Sequence, residues 1–210
     1  MKYKAALFDM DGTVLDTIDD LCDSMNHCLL QYGYPRISRD CAMRNLGSGA
    51  AYYARRSLPE DVNEKTFHEF LQAYKDWYNT HSCIKTAPFP GIIELLSELE
   101  NRGVRVGIVS NKPDATVSLL AERFFPGIPA IGESAGIKRK PAPDTVLSML
   151  RRFNVSPEEA VYIGDTEVDI ETARNAGTGC VAVTWGFRPA EALTAAPALA
   201  DTASQLLTLL

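Results

Sequence analysis

The feature that most constrains this chain is a repeated unit: a short, almost unbroken apolar run that ends in polar residues and is followed by a helical pattern. Apolar runs occupy residues 5–8, 104–109, 128–131, 160–163 and 180–183, and a sixth lies near 198–203. Helical periodicity fills 91–102, 114–125, 144–153 and 169–176. A strand with one solvated face alternates apolar and polar residues, whereas a strand apolar throughout must be covered on both sides. Strands of the second kind alternating with helices predict an α/β fold, a doubly wound parallel sheet.

One stretch departs from this rhythm. From Thr17 to His81 the pattern is helical throughout. Thr17 and Asp20 have the spacing of a loose capping box, and the helix they open runs to Gly33. Pro35 and Ser38 restart the chain, and further helices are expected over 39–46, 50–58 and 60–78. The segment 85–91, with Pro88, Pro90 and Gly91, forms a stiff connection back. The expected organisation is an α/β core of residues 1–15 and 86–210, with residues 16–85 inserted as a helical cap. At 210 residues the chain suits one core with one large insertion.

Charge and cysteine content narrow the function. The net charge is -6, and the longest basic run is Lys138-Arg139-Lys140, so no nucleic-acid partner is expected. Five cysteines without a CxxC pair indicate neither a disulfide framework nor a zinc site. The N-terminal apolar run is too short for a signal peptide, and no stretch has the length of a membrane span. The expected location is the cytoplasm, with no membrane partner.

Ligands of open α/β sheets bind at the carboxyl ends of the strands. The first run is followed by Asp9-Met10-Asp11-Gly12-Thr13, the second by Ser110-Asn111-Lys112, and the fourth by Gly164-Asp165-Thr166-Glu167-Val168-Asp169. Singly, each has an ordinary explanation: Asp-Gly is a common turn, and Ser, Asn, Asp and Thr cap helices. Together they gather several carboxylates at one sheet edge, where mutual repulsion and desolvation oppose folding. A hard cation such as Mg²⁺, which takes oxygen ligands and substrate phosphate, gives that gathering a purpose. Lys112 is expected to follow the chain into the next helix and point outward.

These residues resemble four motifs of the haloacid dehalogenase superfamily in its phosphatase form. Asp9 through Asp16 is similar to the first motif, Ser110-Asn111 to the second, Lys140-Pro141-Ala142-Pro143 to the third, and Gly164 through Asp169 to the fourth. The inserted helices match that superfamily's cap. The resemblance implies that Asp9 is a nucleophile forming an aspartyl-phosphate, and that Asp11 is the general acid and base. It implies Mg²⁺ held by Asp9, the Asp11 carbonyl and Asp165, with Asp169 orienting the metal shell from behind. The phosphoryl oxygens fall to the turn of Asp11, Gly12 and Thr13, to Ser110-Asn111 and to Lys140. The substrate implied is a small phosphorylated metabolite.

The cap should meet the leaving group. Candidates there are His27, Arg44, Asn45, Tyr52, Tyr53, Arg55 and Arg56, together with the turn Gly47-Ser48-Gly49, which either presents N–H groups to an anion or simply joins two helices. That turn and Trp185-Gly186-Phe187 are similar to phosphoglycolate phosphatases, which implies a phosphorylated acid whose carboxylate pairs with Arg55 or Arg56. A phosphonate hydrolase of the same superfamily needs a cap lysine where this chain has Ala50 and Ala51. A phosphosugar mutase shares all four motifs and stays open. A phospho-receiver signalling module carries neither the acid at Asp11 nor a large helical insertion.

Overall fold

The structure is a computed structural model and describes residues 2–210. In chain order the elements are β1 (Ala5–Phe8), β2 (Leu15–Asp16), α1 (Ile18–Gln31), α2 (Arg39–Asn45), α3 (Ala50–Ser57), α4 (Glu64–His81) and β3 (Ala87–Pro88). There follow α5 (Ile92–Asn101), β4 (Arg105–Pro113), α6 (Asp114–Phe124), β5 (Ala130–Glu133), α7 (Asp144–Phe153), β6 (Ala160–Gly164), α8 (Glu167–Ala176), β7 (Gly179–Val183), β8 (Leu199–Ala200) and α9 (Ala203–Leu209).

Six strands form one parallel sheet in the order β5-β4-β1-β6-β7-β8. Side chains of successive strand residues point to opposite faces, and both faces are apolar. Ala6, Phe8, Val106, Ile108, Val161 and Ile163 face one cluster with residues of α5, α6 and α9. Ala5, Leu7, Val109, Ala160 and Tyr162 face another with residues of α7 and α8. This two-sided burial is why the strands read as unbroken apolar runs. The doubly wound α/β expectation therefore holds.

The four helices α1–α4 enclose an apolar cluster of their own, which includes Met25, Leu29, Tyr53, Phe70 and Tyr74. They leave the core through β2 and return through β3, and these two strands pair antiparallel, Leu15 with Pro88 and Asp16 with Ala87. Ser38 and Asn63 cap α2 and α4 through their side chains. The capping box at Thr17 does not form: the Thr17 hydroxyl donates to Asp11 Oδ1 at 2.7 Å, and Asp20 accepts the backbone N–H groups of Ile84, Lys85 and Thr86. Both residues are drawn into tertiary contacts that offer stronger partners than the helix end. All five cysteines are free thiols, and among the described residues no helix is long and apolar enough to cross a membrane.

Candidate active site

The carboxyl ends of β1, β4 and β6 meet beneath the helical insertion. Asp9 follows β1 directly with its side chain buried, and Lys140 Nζ lies 2.8 Å from Asp9 Oδ1 and 2.8 Å from Asp169 Oδ1. Although Asp9 Oδ1 is within ion-pair distance of that ammonium, it has no aligned hydrogen-bond donor. Asp165 follows β6; its Oδ1 accepts from the Thr13 hydroxyl at 3.0 Å and its Oδ2 from the Phe187 N–H at 2.7 Å. Asp169 opens α8, where its Oδ2 accepts both the N–H (3.0 Å) and the hydroxyl (2.6 Å) of Thr166.

Oxygen atoms of Asp9, Asp165 and Asp169 all lie within 4.8 Å of one another. Close approach of backbone to this cluster depends on glycine. Gly12 sits at φ +85°, and a Cβ there would stand 2.3 Å from Asp165 Oδ2. A Cβ on Gly186 would meet the same side chain at 2.3 Å.

Burial and the mutual repulsion of the acids dominate the electrostatics of the cluster. Burial, only partly offset by Lys140 and reinforced by Asp169, lifts the Asp9 carboxyl to about 7. Burial also holds Asp165 well above the usual carboxylate range, with Asp169 and Asp9 adding to it. Burial works against the Lys140 ammonium, but Asp169 and Asp9 outweigh it and raise that group well above its ordinary value. Counting Asp11, which Lys112 Nζ approaches at 3.2 Å, four carboxylates face two ammonium groups. This excess of carboxyl groups over ammonium groups at one buried point fits a divalent, oxygen-seeking cation. Asp169 is the most heavily engaged of the three, held by Thr166, Lys140 and Tyr162, and suits an orienting role; Asp165 has one donor on each oxygen and Asp9 faces Lys140 alone, so these two are the better placed to coordinate directly.

A cavity of about 50 Å³ opens over Asp9 and Asp11. Its core side is lined by Ser110, Asn111, Lys112 and Lys140, and its roof includes Gly47, Gly49, Tyr53, Tyr74 and Tyr78. Asn111 does not offer its side chain to this space. Its amide donates to the carbonyls of Lys140 (3.0 Å) and Gly47 (3.1 Å), and its Oδ1 accepts the Lys140 N–H at 2.7 Å.

Several expectations need correction. Lys112 does not point outward; it is buried, hydrogen-bonded to the Tyr78 hydroxyl at 2.7 Å and paired with Asp11. Burial of a four-carbon stem under the helices leaves its ammonium inside the cavity, where Asp11 compensates the charge. Arg55 pairs with Glu64 at 2.7 Å and lies over the Phe67 ring, and Arg56 is exposed; neither lines the cavity. The α3 helix turns both arginines away from the core. Of the other cap candidates only Tyr53 joins Gly47 and Gly49 in the lining; His27 stacks on Trp77, Tyr52 is exposed, and Asn45 is held to the Arg56 carbonyl.

The structure also adds residues that motif reading passes over. Tyr162, one apolar-looking residue of β6, brings its hydroxyl within 3.0 Å of Lys140 Nζ. Arg188 donates to the carbonyls of Met43 (2.6 Å) and Leu46 (2.7 Å) at the end of α2, tying the helical insertion to the segment after β7. An arginine following an aromatic pair gave no signal of this in the sequence.

Comparison with known proteins agrees with this architecture. The family model described as haloacid dehalogenase-like hydrolase matches residues 6–183. A phosphoglycolate phosphatase of Pseudomonas putida is 30% identical over 202 residues, covering 90% of this chain and 73% of that protein. An N-acetylmuramic acid 6-phosphate phosphatase of Pseudomonas aeruginosa is 28% identical, covering 89% of this chain and 84% of its own. The crystal structure of a candidate phosphoglycolate phosphatase from Lactobacillus delbrueckii subsp. bulgaricus superimposes with a TM-score of 0.94 at 38% identity, covering 100% of this chain and 98% of that one. This chain belongs to the haloacid dehalogenase-like hydrolases, and within them it resembles the phosphoglycolate phosphatases.

Proposed function

We propose that the protein is a Mg²⁺-dependent phosphatase that hydrolyses a small phosphorylated acid by way of an aspartyl-phosphate on Asp9. The observation that carries this reading is the meeting, beside one cavity, of the buried Asp9 carboxyl with the Asp165 and Asp169 carboxyls and the Lys140 ammonium. The names of the related phosphatases support the reaction class.

In this reading residues 1–15 and 86–210 form the catalytic core and residues 16–85 its cap. Asp9 and Asp165, with the Asp11 carbonyl, would hold Mg²⁺, and Asp169 would orient those ligands. When bound, the ion neutralises charge on the phosphoryl group and on the attacking carboxylate. Lys140, Ser110 and the N–H groups of the turn at residues 11–13 hold the phosphoryl oxygens.

One Asp9 oxygen attacks phosphorus, and the bond to the leaving oxygen breaks as Asp11 delivers a proton to it. Asp11, now a carboxylate, takes a proton from water, whose oxygen attacks the aspartyl-phosphate and frees Asp9. The Thr17 hydroxyl and Lys112 fix one Asp11 oxygen, leaving the other for proton transfer. Covering the site with apolar cap residues excludes bulk water until the leaving group has departed.

The test is turnover of para-nitrophenyl phosphate with Mg²⁺ and after chelation. Mg²⁺-dependent hydrolysis that Asp9→Asn abolishes supports the reading; hydrolysis unaffected by chelation rejects it.

A further inference from the structure

Three lysines line the cavity: Lys75, Lys112 and Lys140. Lys140 is paired with Asp9 and Asp169, and Lys112 with Asp11. Lys75, on α4, is half-buried and has no acidic partner among the described residues. Among the described residues, the only acids lining the cavity are Asp9 and Asp11, both already engaged by the other two lysines. The same cavity is lined on its roof by Leu46, Tyr53, Tyr74 and Tyr78. A half-buried ammonium is partly desolvated, and an anion arriving there recovers what hydration was lost.

The two ends of the cavity thus differ. The phosphoryl end lies on the core, at Asp9, Ser110 and Lys140. The leaving-group end lies under α4, one turn of which supplies both Lys75 and Asn79. Asn79 has its Oδ1 occupied by the Thr116 hydroxyl, which leaves its amide N–H groups as donors.

Resting on the phosphatase reading above, we infer that Lys75 determines specificity by pairing with a carboxylate carried on the leaving group. A single unpaired ammonium matches a single negative charge. The cavity of about 50 Å³, the space of roughly three to five waters, suits a compact acid. The role that the sequence suggested for Arg55 or Arg56 passes to a residue one helix further along.

The test compares kcat/KM for 2-phosphoglycolate, for ethyl phosphate as its uncharged counterpart, and for ethanediol bisphosphate. In Lys75→Met the preference for phosphoglycolate over ethyl phosphate should fall about 10- to 100-fold, mainly through KM, the scale of losing one charged hydrogen bond. Lys75→Arg should retain most of the preference, which a general packing defect would not allow. Hydrolysis with an unchanged preference in Lys75→Met overturns the assignment and leaves the phosphatase reading standing. A wild-type preference for the bisphosphate overturns the carboxylate in favour of a second phosphate. Failure of the wild type to hydrolyse any phosphate ester removes the phosphatase reading and this inference with it.

Discussion

Asn111 holds Lys140 by both of its backbone groups, accepting the N–H at 2.7 Å and donating to the carbonyl at 3.0 Å. Two distant segments, the end of β4 and the loop before α7, are thereby fixed in register, and the ammonium of Lys140 is aimed between Asp9 and Asp169. The same amide reaches Gly47 in the helical insertion. Asn111→Ala strands a buried N–H and a buried carbonyl, which should cost about 2 kcal/mol of stability. It should also lower kcat/KM, because Lys140 loses its placement. Denaturant titration and steady-state kinetics read both effects; an active variant of unaltered stability would show that the contact is idle.

Gly12 is limited twice, by its positive φ of +85° and by the Asp165 carboxylate 2.3 Å from where a Cβ would stand. Gly12→Ala must therefore move either the turn or Asp165. The expected outcome is weakened Mg²⁺ binding, seen as a higher Mg²⁺ concentration for half-maximal activity, together with destabilisation of about 1–3 kcal/mol. Retention of wild-type Mg²⁺ affinity would contradict the geometry.

Arg188 joins the insertion to the core through two carbonyls at the end of α2 and an ion pair with Glu167 at 3.1 Å. Arg188→Ala removes these donors while leaving the apolar cluster intact. Hydrogen exchange should increase in α2 and in the turn at residues 46–49, and KM should rise more than kcat falls. Exchange confined to residues 186–190 would mean that the arginine is only a local strut.

Burial lifts Asp9 to about 7 in the metal-free protein, so folding has a pH dependence whose sign is fixed. Between about 4 and 7 the folded chain keeps a proton that the unfolded chain has released. Stability from this group is therefore greatest below that window and is lost as pH rises through it. Asp9→Asn, neutral at every pH, escapes the loss. With chelator present, the stability of the variant relative to wild type should be more favourable at pH 8 than at pH 5. A gap independent of pH across that range would contradict the burial argument.

Much of this was legible in the sequence because the signals are local. The apolar runs marked β1, β4, β6 and β7, and their polar ends marked Asp9, Ser110, Asp165 and Asp169. The helix expected over 144–153 matches α7. The β2–β3 pair was not legible, since two-residue strands carry no periodicity and their pairing bridges 71 residues, from Asp16 to Ala87. Lys112 and Thr17 were misread for a related reason: each sits at a helix entrance whose local chemistry is ordinary, and only the fold brings Asp11 within reach of both. Arg55 and Arg56 illustrate the reverse error, since charge and position on the insertion say nothing about which way α3 turns.

The most direct measurement of the central claim is to trap the phosphoenzyme. Asp11→Asn, mixed with Mg²⁺ and an aryl phosphate whose leaving group needs no proton, should accumulate a covalent phosphoryl group, and mass spectrometry of the acid-quenched protein should place it on Asp9. A phosphoryl group found on any other residue, or turnover by this variant with no covalent species at all, would contradict the account.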